Sequence, residues 1–175
     1  MSPPRPDPDA DLPIGRVALR TSTSEDREFL VALYGSVRAE ELTLVPWTDE
    51  EKAAFVRMQF DAQDAWYRQV YPGGRFSIVT LNGEPIGRLI VGRRPAEGIV
   101  VVDITLVPER RGRGIGTRLV TDVLEEADRE GLPVTLRVEP WNPVRRLYLR
   151  LGFEPGPVEG VYESMTRPAR RPMVS

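Results

Sequence analysis

The chain has 175 residues and a formal net charge of -2, with 24 Lys and Arg against 26 Asp and Glu. This length and an apolar content of 41% are typical of one globular domain, and the charge gives no overall field that would attract nucleic acid or an anionic membrane. The sequence contains neither Cys nor His, which excludes disulfides, thiolate or imidazole metal ligands, and cysteine or histidine catalysis. Proton transfer in any reaction must fall to carboxylates, Tyr, Lys, bound water or the substrate itself.

The two ends of the chain differ from the rest in composition. Residues 1–14 are rich in Pro and Asp and lack the apolar centre of a signal peptide. No apolar run approaches the roughly 20 residues that cross a bilayer. We therefore expect a disordered leader at residues 1–14, a single domain at 15–167 and a flexible tail at 168–175. The protein is expected in a reducing cytoplasm, with no membrane partner and no metal.

The first part of the domain predicts one strand and two helices. Residues 16–23 alternate between apolar and polar side chains, which is typical of a strand. Thr23 or Ser24 then provides an N-cap for a helix that runs to about residue 42. A second helix is expected from Asp49 to Gln69. Its predicted apolar stripe consists of Ala54, Phe55, Met58, Ala62, Ala65 and Trp66.

Beyond residues 71–74, which read Tyr-Pro-Gly-Gly, helical spacing gives way to extended runs. Residues 75–81 and 86–94 flank Asn82-Gly83, and this combination predicts a β-hairpin. The Val- and Ile-rich run at 98–108 predicts a central strand that is covered on both faces.

The last part of the domain predicts two more helices and two more strands. Apolar residues recur at helical spacing from about 114 to 130, and residues 132–139 form the next predicted strand. Asn142-Pro143 suits the start of another helix, and residues 160–167 alternate as a final strand. The element order is β-α-α-β-β-β-α-β-α-β, which indicates a mixed sheet with helices against it.

A glycine-rich segment, "VPERRGRGIG" at residues 107–116, joins the central strand to the helix that follows it. Strand, glycine-rich loop and helix is an arrangement that binds phosphate, because the first N–H groups of a helix are free and carry its positive dipole end. Gly112, Gly114 and Gly116 do not have the G-x-G-x-x-G spacing of a dinucleotide fingerprint, and the Gly-Lys-Ser/Thr of a P-loop is missing. The segment therefore predicts a site for an anion of another kind.

Arg111-x-x-Gly114-x-Gly116 matches the R/Q-x-x-G-x-G/A pattern of the Gcn5-related N-acetyltransferase (GNAT) superfamily, which the chain resembles over about residues 16–166. Residues 142–153 are also similar to that family's N-x-x-A-x-x-L-Y-x-x-x-G-F segment, with one residue fewer before Leu-Tyr. The resemblance implies the α+β acyl-CoA N-acyltransferase fold, with a mixed, mostly antiparallel sheet of six to seven strands and about four helices. It also implies an acetyl-CoA-dependent N-acetyltransferase.

The resemblance assigns the coenzyme to the loop and to the end of the central strand. Backbone N–H groups of the loop would hold the pyrophosphate, and the pantetheine arm would lie along Leu106 and Val107 like an extra strand. The N–H near Leu106 would polarise the thioester carbonyl, as in an oxyanion hole. The residues so assigned are Leu106, Val107, Arg111, Gly112, Arg113, Gly114, Ile115, Gly116, Thr117 and Asn142.

Two of the assigned side chains have a second interpretation from the sequence alone. Asn142 matches the family's pantetheine-contacting asparagine, but it is equally explained as a helix N-cap. Tyr148 matches the tyrosine that protonates the departing thiolate, but it also fits a core tyrosine on the apolar face of Val144 and Leu151. Arg111 and Arg113 are either ligands of the phosphate or solvated surface charges.

The base that takes the proton of the attacking amine must be sought among carboxylates. Asp103 lies in an otherwise apolar strand, where a carboxyl group without a partner or a task would be costly. A structural pairing of Asp103 with an arginine is an equal alternative. Glu139, at the end of the next strand beside Trp141, is a second candidate.

Residues 38–48 lie where the family builds part of its acceptor pocket. Glu40 and Glu41 are candidates for attracting a cationic amine, with Trp47 and Tyr67 as walls, although exposed charge at helix ends is the simpler explanation. The expected partner is a small-molecule or peptide amine. An antibiotic amine, a polyamine, an amino acid and a protein N-terminus all remain open.

Two other hypotheses concern the function as a whole. The same fold and coenzyme site could serve a non-catalytic acyl-CoA-binding or regulatory module. Binding of nucleic acid by the arginine-rich loop is disfavoured, because its arginines are few, lack interleaved aromatics and belong to an acidic protein. The family commonly forms homodimers.

Overall fold

The computed structural model describes residues 15–171 and contains seven strands in that range. They are β1 (Val17–Thr21), β2 (Arg75–Leu81), β3 (Glu84–Arg94), β4 (Gly98–Leu106), β5 (Val134–Val138), β6 (Glu154–Glu159) and β7 (Tyr162–Arg167). They form one sheet in the order β1-β2-β3-β4-β5-β7-β6, in which only the β4–β5 pair is parallel. The predicted leader and residues 172–175 of the predicted tail lie outside the described residues, whereas residues 168–171 are exposed and have no regular structure.

The helices are α1 (Arg27–Thr43), α2 (Asp49–Val70), α3 (Ile115–Glu130) and α4 (Arg145–Arg150). Single 3-10 turns at Ser24–Asp26 and Pro108–Arg110 precede α1 and the glycine-rich loop. The expected α+β fold with a mostly antiparallel sheet and four helices is therefore confirmed. Within residues 15–171, no helix has both the length and the apolar character that crossing a bilayer requires.

β4 and β5 run side by side for only a short distance. Residues 99–101 pair with residues 134–136, and the pairing ends there. The register of β4 against β3 shifts at the same place, because Val101 lies opposite Val91 whereas Asp103 lies opposite Ile90. The extra residue is a β-bulge, which bends the strand that contains it. β4 continues along β3 to Leu106, so a cleft opens between the carboxyl ends of the two parallel strands.

Apolar side chains pack on both faces of the sheet. On one face, Ile115, Leu119 and Val123 of α3 belong to the larger buried cluster. On the other face, Leu30 of α1 and Phe60 of α2 belong to a smaller buried cluster with the sheet. The two-layer burial of β4 agrees with the covered central strand that its Val- and Ile-rich sequence predicts.

The predicted apolar stripe of α2 is wrong. Met58 and Trp66 are 58% and 60% exposed, whereas Val56 and Phe60 are buried against the sheet. Gln63 lies on the same inward face of α2, and its Oε1 accepts a hydrogen bond of 2.9 Å from Arg88. The inward face of α2 therefore contains polar residues that have partners in the sheet, and counting apolar residues selects the wrong face.

The structure adds one strand, β6, that the sequence pattern does not predict. Residues 154–159 contain Pro155 and Pro157, which argue against a strand inside a sheet. β6 lies at the edge of the sheet and pairs only with β7, and its register shifts between Pro155 and Val158. Proline is tolerated there because an edge strand needs no hydrogen bonds on its outer side.

Asp26 connects β1 to the turn that starts α1. Its carboxylate accepts two hydrogen bonds from the Arg20 guanidinium, of 2.9 and 2.8 Å, and one of 2.8 Å from the Thr23 N–H. The hydrogen bonds from Arg20 outweigh burial of the carboxyl group and lower its pKa from 3.8 to about 2.

We predict that Asp26→Asn lowers the free energy of unfolding by about 1–2 kcal/mol at pH 7, because the charged hydrogen bonds are lost. A carboxyl group whose pKa is depressed on folding stabilises the protein above its ordinary pKa. The difference between the two proteins should therefore shrink as the pH falls from about 4 to about 2. Urea unfolding across this range measures it, and a difference that does not change with pH would contradict the assignment.

Candidate active site

The cleft between β4 and β5 holds a cavity of about 960 Å³. We call it the large groove. It is bounded by the end of β4, the glycine-rich loop, the N-terminus of α3 and the segment before α4. Residues that line it include Leu106, Arg111, Gly114, Gly116, Glu139 and Asn142.

The N-terminus of α3 presents free backbone N–H groups to the large groove. Gly114 is the N-cap and has no side chain to cap the helix, and the first turn contains no acidic residue. By contrast, Thr48 caps α2 through a capping box with Glu51, and three acidic residues occupy the first turn of that helix. Among the described residues, no hydrogen-bond acceptor meets the backbone N–H groups of residues 112–117. The N–H groups at the positive end of α3 thus have no acceptor within residues 15–171.

The three loop glycines differ in backbone conformation, and only two of them adopt one that favours glycine. Gly112 and Gly114 have φ values of 70° and 81°, in the left-handed region that favours glycine. Gly116 has no such conformation and lies inside the first turn of α3, where alanine is ordinarily more stable. A Cβ added at any of the three would meet no atom within 4 Å. Nothing in the described part of the fold requires glycine at position 116.

The end of β4 turns the polar groups of Leu106 towards the large groove. The Val107 N–H donates to the Ile86 carbonyl at 2.8 Å, so Val107 forms a hydrogen-bonded pair with β3. Because such pairs alternate along an antiparallel ladder, the N–H and carbonyl of Leu106 point away from β3. The Leu106 carbonyl instead accepts a hydrogen bond of 2.9 Å from Nε of Arg111. Arg111 is therefore more than a solvated charge, since it connects the loop to the strand.

The other residues assigned to the coenzyme have different surroundings. Thr117 lines the large groove, whereas Arg113 is exposed and lies outside the groove lining. The Ile115 side chain is buried in the core, so only its backbone faces the loop. Asn142 lines the groove, and its Oδ1 accepts a hydrogen bond of 3.0 Å from the Val144 N–H. The N-cap of α4 is Val144, so the prediction that Asn142 caps this helix is wrong, and the Asn142 side chain instead closes a local turn just before α4.

A second cavity of about 260 Å³, which we call the inner cavity, meets the large groove. Val37, Thr105 and Glu139 line both. The inner cavity lies between α1, α2 and the sheet, and its other residues include Tyr34, Arg38, Glu41, Tyr67, Arg88 and Asp103. The two cavities thus adjoin, and Glu139 lies at their junction.

The candidate acceptor residues are only partly brought together. Glu41 and Tyr67 line the inner cavity, whereas Glu40 lines the large groove. Trp47 lines neither of them and packs edge-on against Phe55, with ring centroids 5.2 Å apart. Burial, with a contribution from the charge of Asp103, raises the pKa of Tyr67 to about 12, so its hydroxyl stays protonated.

Asp103 has the arginine partner that its structural interpretation requires. Nε of Arg88 donates to Oδ2 of Asp103 at 3.1 Å, Nη2 donates to the same oxygen, and the Thr105 hydroxyl donates to Oδ1 at 2.7 Å. Arg88 is buried and was not among the sequence candidates. The sequence contains a signal for this ion pair, because Arg88 and Asp103 carry opposite charges within neighbouring apolar strands.

Glu139 lies at the junction without a charged partner. It follows β5, is half-buried and lines both the large groove and the inner cavity. Within residues 15–171, no ion pair or hydrogen bond engages its carboxylate. A carboxylate of this kind can accept a proton without first breaking an ion pair.

Tyr148 is buried in the core and is not among the residues that line the large groove or the inner cavity. Its ring packs edge-on against Phe153, with centroids 5.7 Å apart, and it is 6% exposed. Burial, with a smaller contribution from the charge of Asp103, raises the pKa of Tyr148. The hydroxyl therefore stays protonated at neutral pH, as a proton donor must.

The family model described as "Acetyltransferase (GNAT) family" matches residues 36–153. The chain belongs to this family. It is thus an acyltransferase, and the matched residues contain β4, the glycine-rich loop, α3 and the segment around Asn142. A comparison with curated proteins gives no sequence match to this acetyltransferase.

Solved structures similar to this acetyltransferase share its fold. The PaiA N-acetyltransferase from Thermoplasma acidophilum, solved in complex with coenzyme A, has 17% identity and a TM-score of 0.65, covering 87% of this chain and 99% of its own. An acetyltransferase from Thermus thermophilus has 20% identity and a TM-score of 0.64, covering 89% and 98%. A structure of "histone acetyltransferase HPA2 and related acetyltransferase" from Corynebacterium glutamicum has 21% identity and a TM-score of 0.65, covering 90% and 99%.

We predict that alanine substitutions at Gly114 and Gly116 change the free energy of unfolding in opposite directions. Gly114→Ala should lower the free energy of unfolding by about 1 kcal/mol because of its left-handed conformation. Gly116→Ala should raise it by about 0.5 kcal/mol, since alanine is the better helix former and the space is open. Urea unfolding measures both, with Gly73→Ala as the control at another open position of ordinary φ. A loss at Gly116 as large as that at Gly114 would mean that the fold itself needs this glycine.

Proposed function

We propose that the chain transfers the acetyl group of acetyl-CoA directly to a primary amine. The observation that carries the proposal is the uncapped N-terminus of α3, with Gly116 facing a groove that joins a second cavity at Glu139. An anionic ligand on one side of the junction and an amine on the other would bring two reactants together. The coenzyme A in the similar structure from Thermoplasma acidophilum supports this choice of anion.

The glycine-rich loop would hold the pyrophosphate of the coenzyme. Backbone N–H groups from Gly112 to Thr117 would donate to the phosphate oxygens, and the dipole of α3 would add to the attraction. Arg111 and Arg113 add positive charge to this end of the groove, and Asn142 lies on its opposite wall. The absence of a side chain at Gly116 supports a close approach by the ligand.

The carboxyl end of β4 would orient the reacting thioester. The N–H of Leu106 points away from β3, which suits a donor to the thioester carbonyl as negative charge develops on its oxygen. The N–H of Val107 already donates to the Ile86 carbonyl. Val107 would therefore help to position the coenzyme but would not donate a hydrogen bond to it. The acetyl group would thereby reach the junction near Glu139.

The chemistry needs one base and one acid. As the amine nitrogen forms its bond to the carbonyl carbon, a carboxylate takes the amine proton, and the C–S bond breaks. Of the two candidate bases, Glu139 has the better claim because Asp103 is neutralised by Arg88. Tyr148 would return a proton to the departing thiolate, because its hydroxyl is protonated at neutral pH.

We predict that substitutions in the glycine-rich loop weaken the affinity for coenzyme A, including a substitution that does not destabilise the fold. Titration calorimetry measures the affinity. Gly116→Ala should weaken binding by about tenfold, because its methyl group occupies the path of the phosphates. Gly114→Glu should abolish measurable binding through bulk and charge, and Gly73→Ala should leave it unchanged. Wild-type affinity in both loop variants would exclude the phosphate assignment.

We predict free thiol release from acetyl-CoA in the presence of at least one amine from a panel of amino acids, polyamines, aminoglycosides and peptides. Tyr148→Phe should keep the affinity for coenzyme A and lower kcat by about 10²-fold, because the thiolate loses its acid. Glu139→Gln should lower kcat to a similar extent. Asp103→Asn, the matched carboxylate, tests the alternative base.

Two results would count against these roles. Coenzyme binding without thiol release for any amine would indicate a binding module instead of an enzyme acting on amines. Unchanged turnover in Tyr148→Phe would remove the acid role of that residue, and a loss confined to Asp103→Asn would transfer the base role from Glu139.

A further inference from the structure

A third cavity, of about 350 Å³, adjoins the inner cavity on the side away from the large groove. We call it the outer cavity. Gln63, Tyr67 and Tyr162 line both the inner and the outer cavity. The inner and outer cavities therefore adjoin at these three side chains.

Aromatic side chains form much of the outer cavity. Trp66 and Tyr71 come from α2 and its end, and Tyr162 comes from β7. Trp66 and Tyr162 are 60% and 45% exposed, although large aromatic side chains are ordinarily buried. Their exposure leaves apolar surface available for the aliphatic part of a ligand.

The inner and outer cavities have opposite unpaired charges. Arg137 lines the outer cavity and Glu139 lines the inner one. Within the described range 15–171, neither side chain has an ion-pair partner, whereas Arg94 in the outer cavity pairs with Glu97 at 3.3 Å. Arg137 lies in β5 and Glu139 directly follows its last residue, Val138, so the two side chains start from positions within roughly one strand repeat of 7 Å of each other.

We propose that the outer cavity is an acceptor subsite that binds a carboxylate, so that the acceptor is a small amino acid with separated amine and acid groups. The proposal rests on the proposed function, which puts the acceptor amine beside Glu139. The ammonium group is attracted to Glu139, and the carboxylate pairs with Arg137. The methylene chain between them lies against Tyr67, Trp66 and Tyr162.

The size of the cavities agrees with such an acceptor. The inner cavity, at about 260 Å³, is smaller than the roughly 300–1,000 Å³ of typical drug-sized ligand sites. A polyamine would meet the positive charge of Arg137 at its far end and would be disfavoured. The charge pattern therefore selects a dipolar acceptor over a polycationic one.

The experiment compares ω-amino acids that have from about two to about five methylene groups, spanning the roughly 7 Å strand repeat, with their primary amides. Each pair has the same shape and differs in the charge at one end. Thiol release from acetyl-CoA gives kcat/KM for each acceptor. We expect the best amino acid to exceed its amide by at least about tenfold, and Arg137→Gln to bring this ratio close to one by raising KM.

Two variants provide controls and a second line of support. Arg129→Gln removes an exposed arginine from α3, on the other face of the sheet, and should keep the wild-type ratio. Trp66→Ala should raise KM for the amino acid, whereas Met58→Ala, which removes an exposed apolar side chain from the same helix, should not.

The possible outcomes distinguish the subsite from the function on which it rests. Turnover of polyamines or amides in preference to amino acids would overturn the subsite and leave the acetyltransferase proposal intact. A preference for amino acids that persists in Arg137→Gln would do the same. Bound acetyl-CoA with no thiol release for any acceptor would overturn both.

Discussion

The separation of β4 from β5 is the constraint on which the rest of the site depends. Parallel strands ordinarily continue their pairing, but the bulge at Val102 bends β4 after three paired residues. The separation exposes the polar edge of Leu106 and creates the space between the strands. The N-terminus of α3 then lies at one end of that space, because the glycine-rich loop follows directly after β4. A sheet with full β4–β5 pairing would have no groove.

Charge in this region is arranged so that few groups remain unpaired. Arg88 neutralises Asp103 beneath the inner cavity, and Arg38 pairs with the exposed Glu41 at 3.2 Å. Among the charged residues that line the inner and outer cavities, Glu139 and Arg137 are the two without an ion-pair partner within residues 15–171, and they lie two residues apart at the end of β5. Charged groups beside a cavity ordinarily have partners, so these two unpaired ones indicate where a charged ligand would bind.

Much of the fold follows from local patterns in the sequence. The hairpin around Asn82-Gly83, the covered strand β4 and helix α3 all have strong local signals, and all three are present. One local inference was wrong and one strand was missed, and both have non-local reasons. α2 turns Gln63 inwards, where its side chain accepts a hydrogen bond from Arg88 of β3, whereas Met58 and Trp66 are exposed. β6 tolerates Pro155 and Pro157 because it is an edge strand, which only the strand order reveals.

The sequence by itself determined the loop and helix end to which we assign the acetyl donor. Strand, glycine-rich loop and helix are contiguous in the chain, so a pattern of a few residues specifies where the free N–H groups of α3 lie. Only the tertiary structure decided the acceptor side. Val37, Arg88 and Glu139 are far apart in sequence, and they meet because of strand register, the Val102 bulge and the orientation of α2. Such contacts depend on the packing of whole elements, and no short segment encodes them.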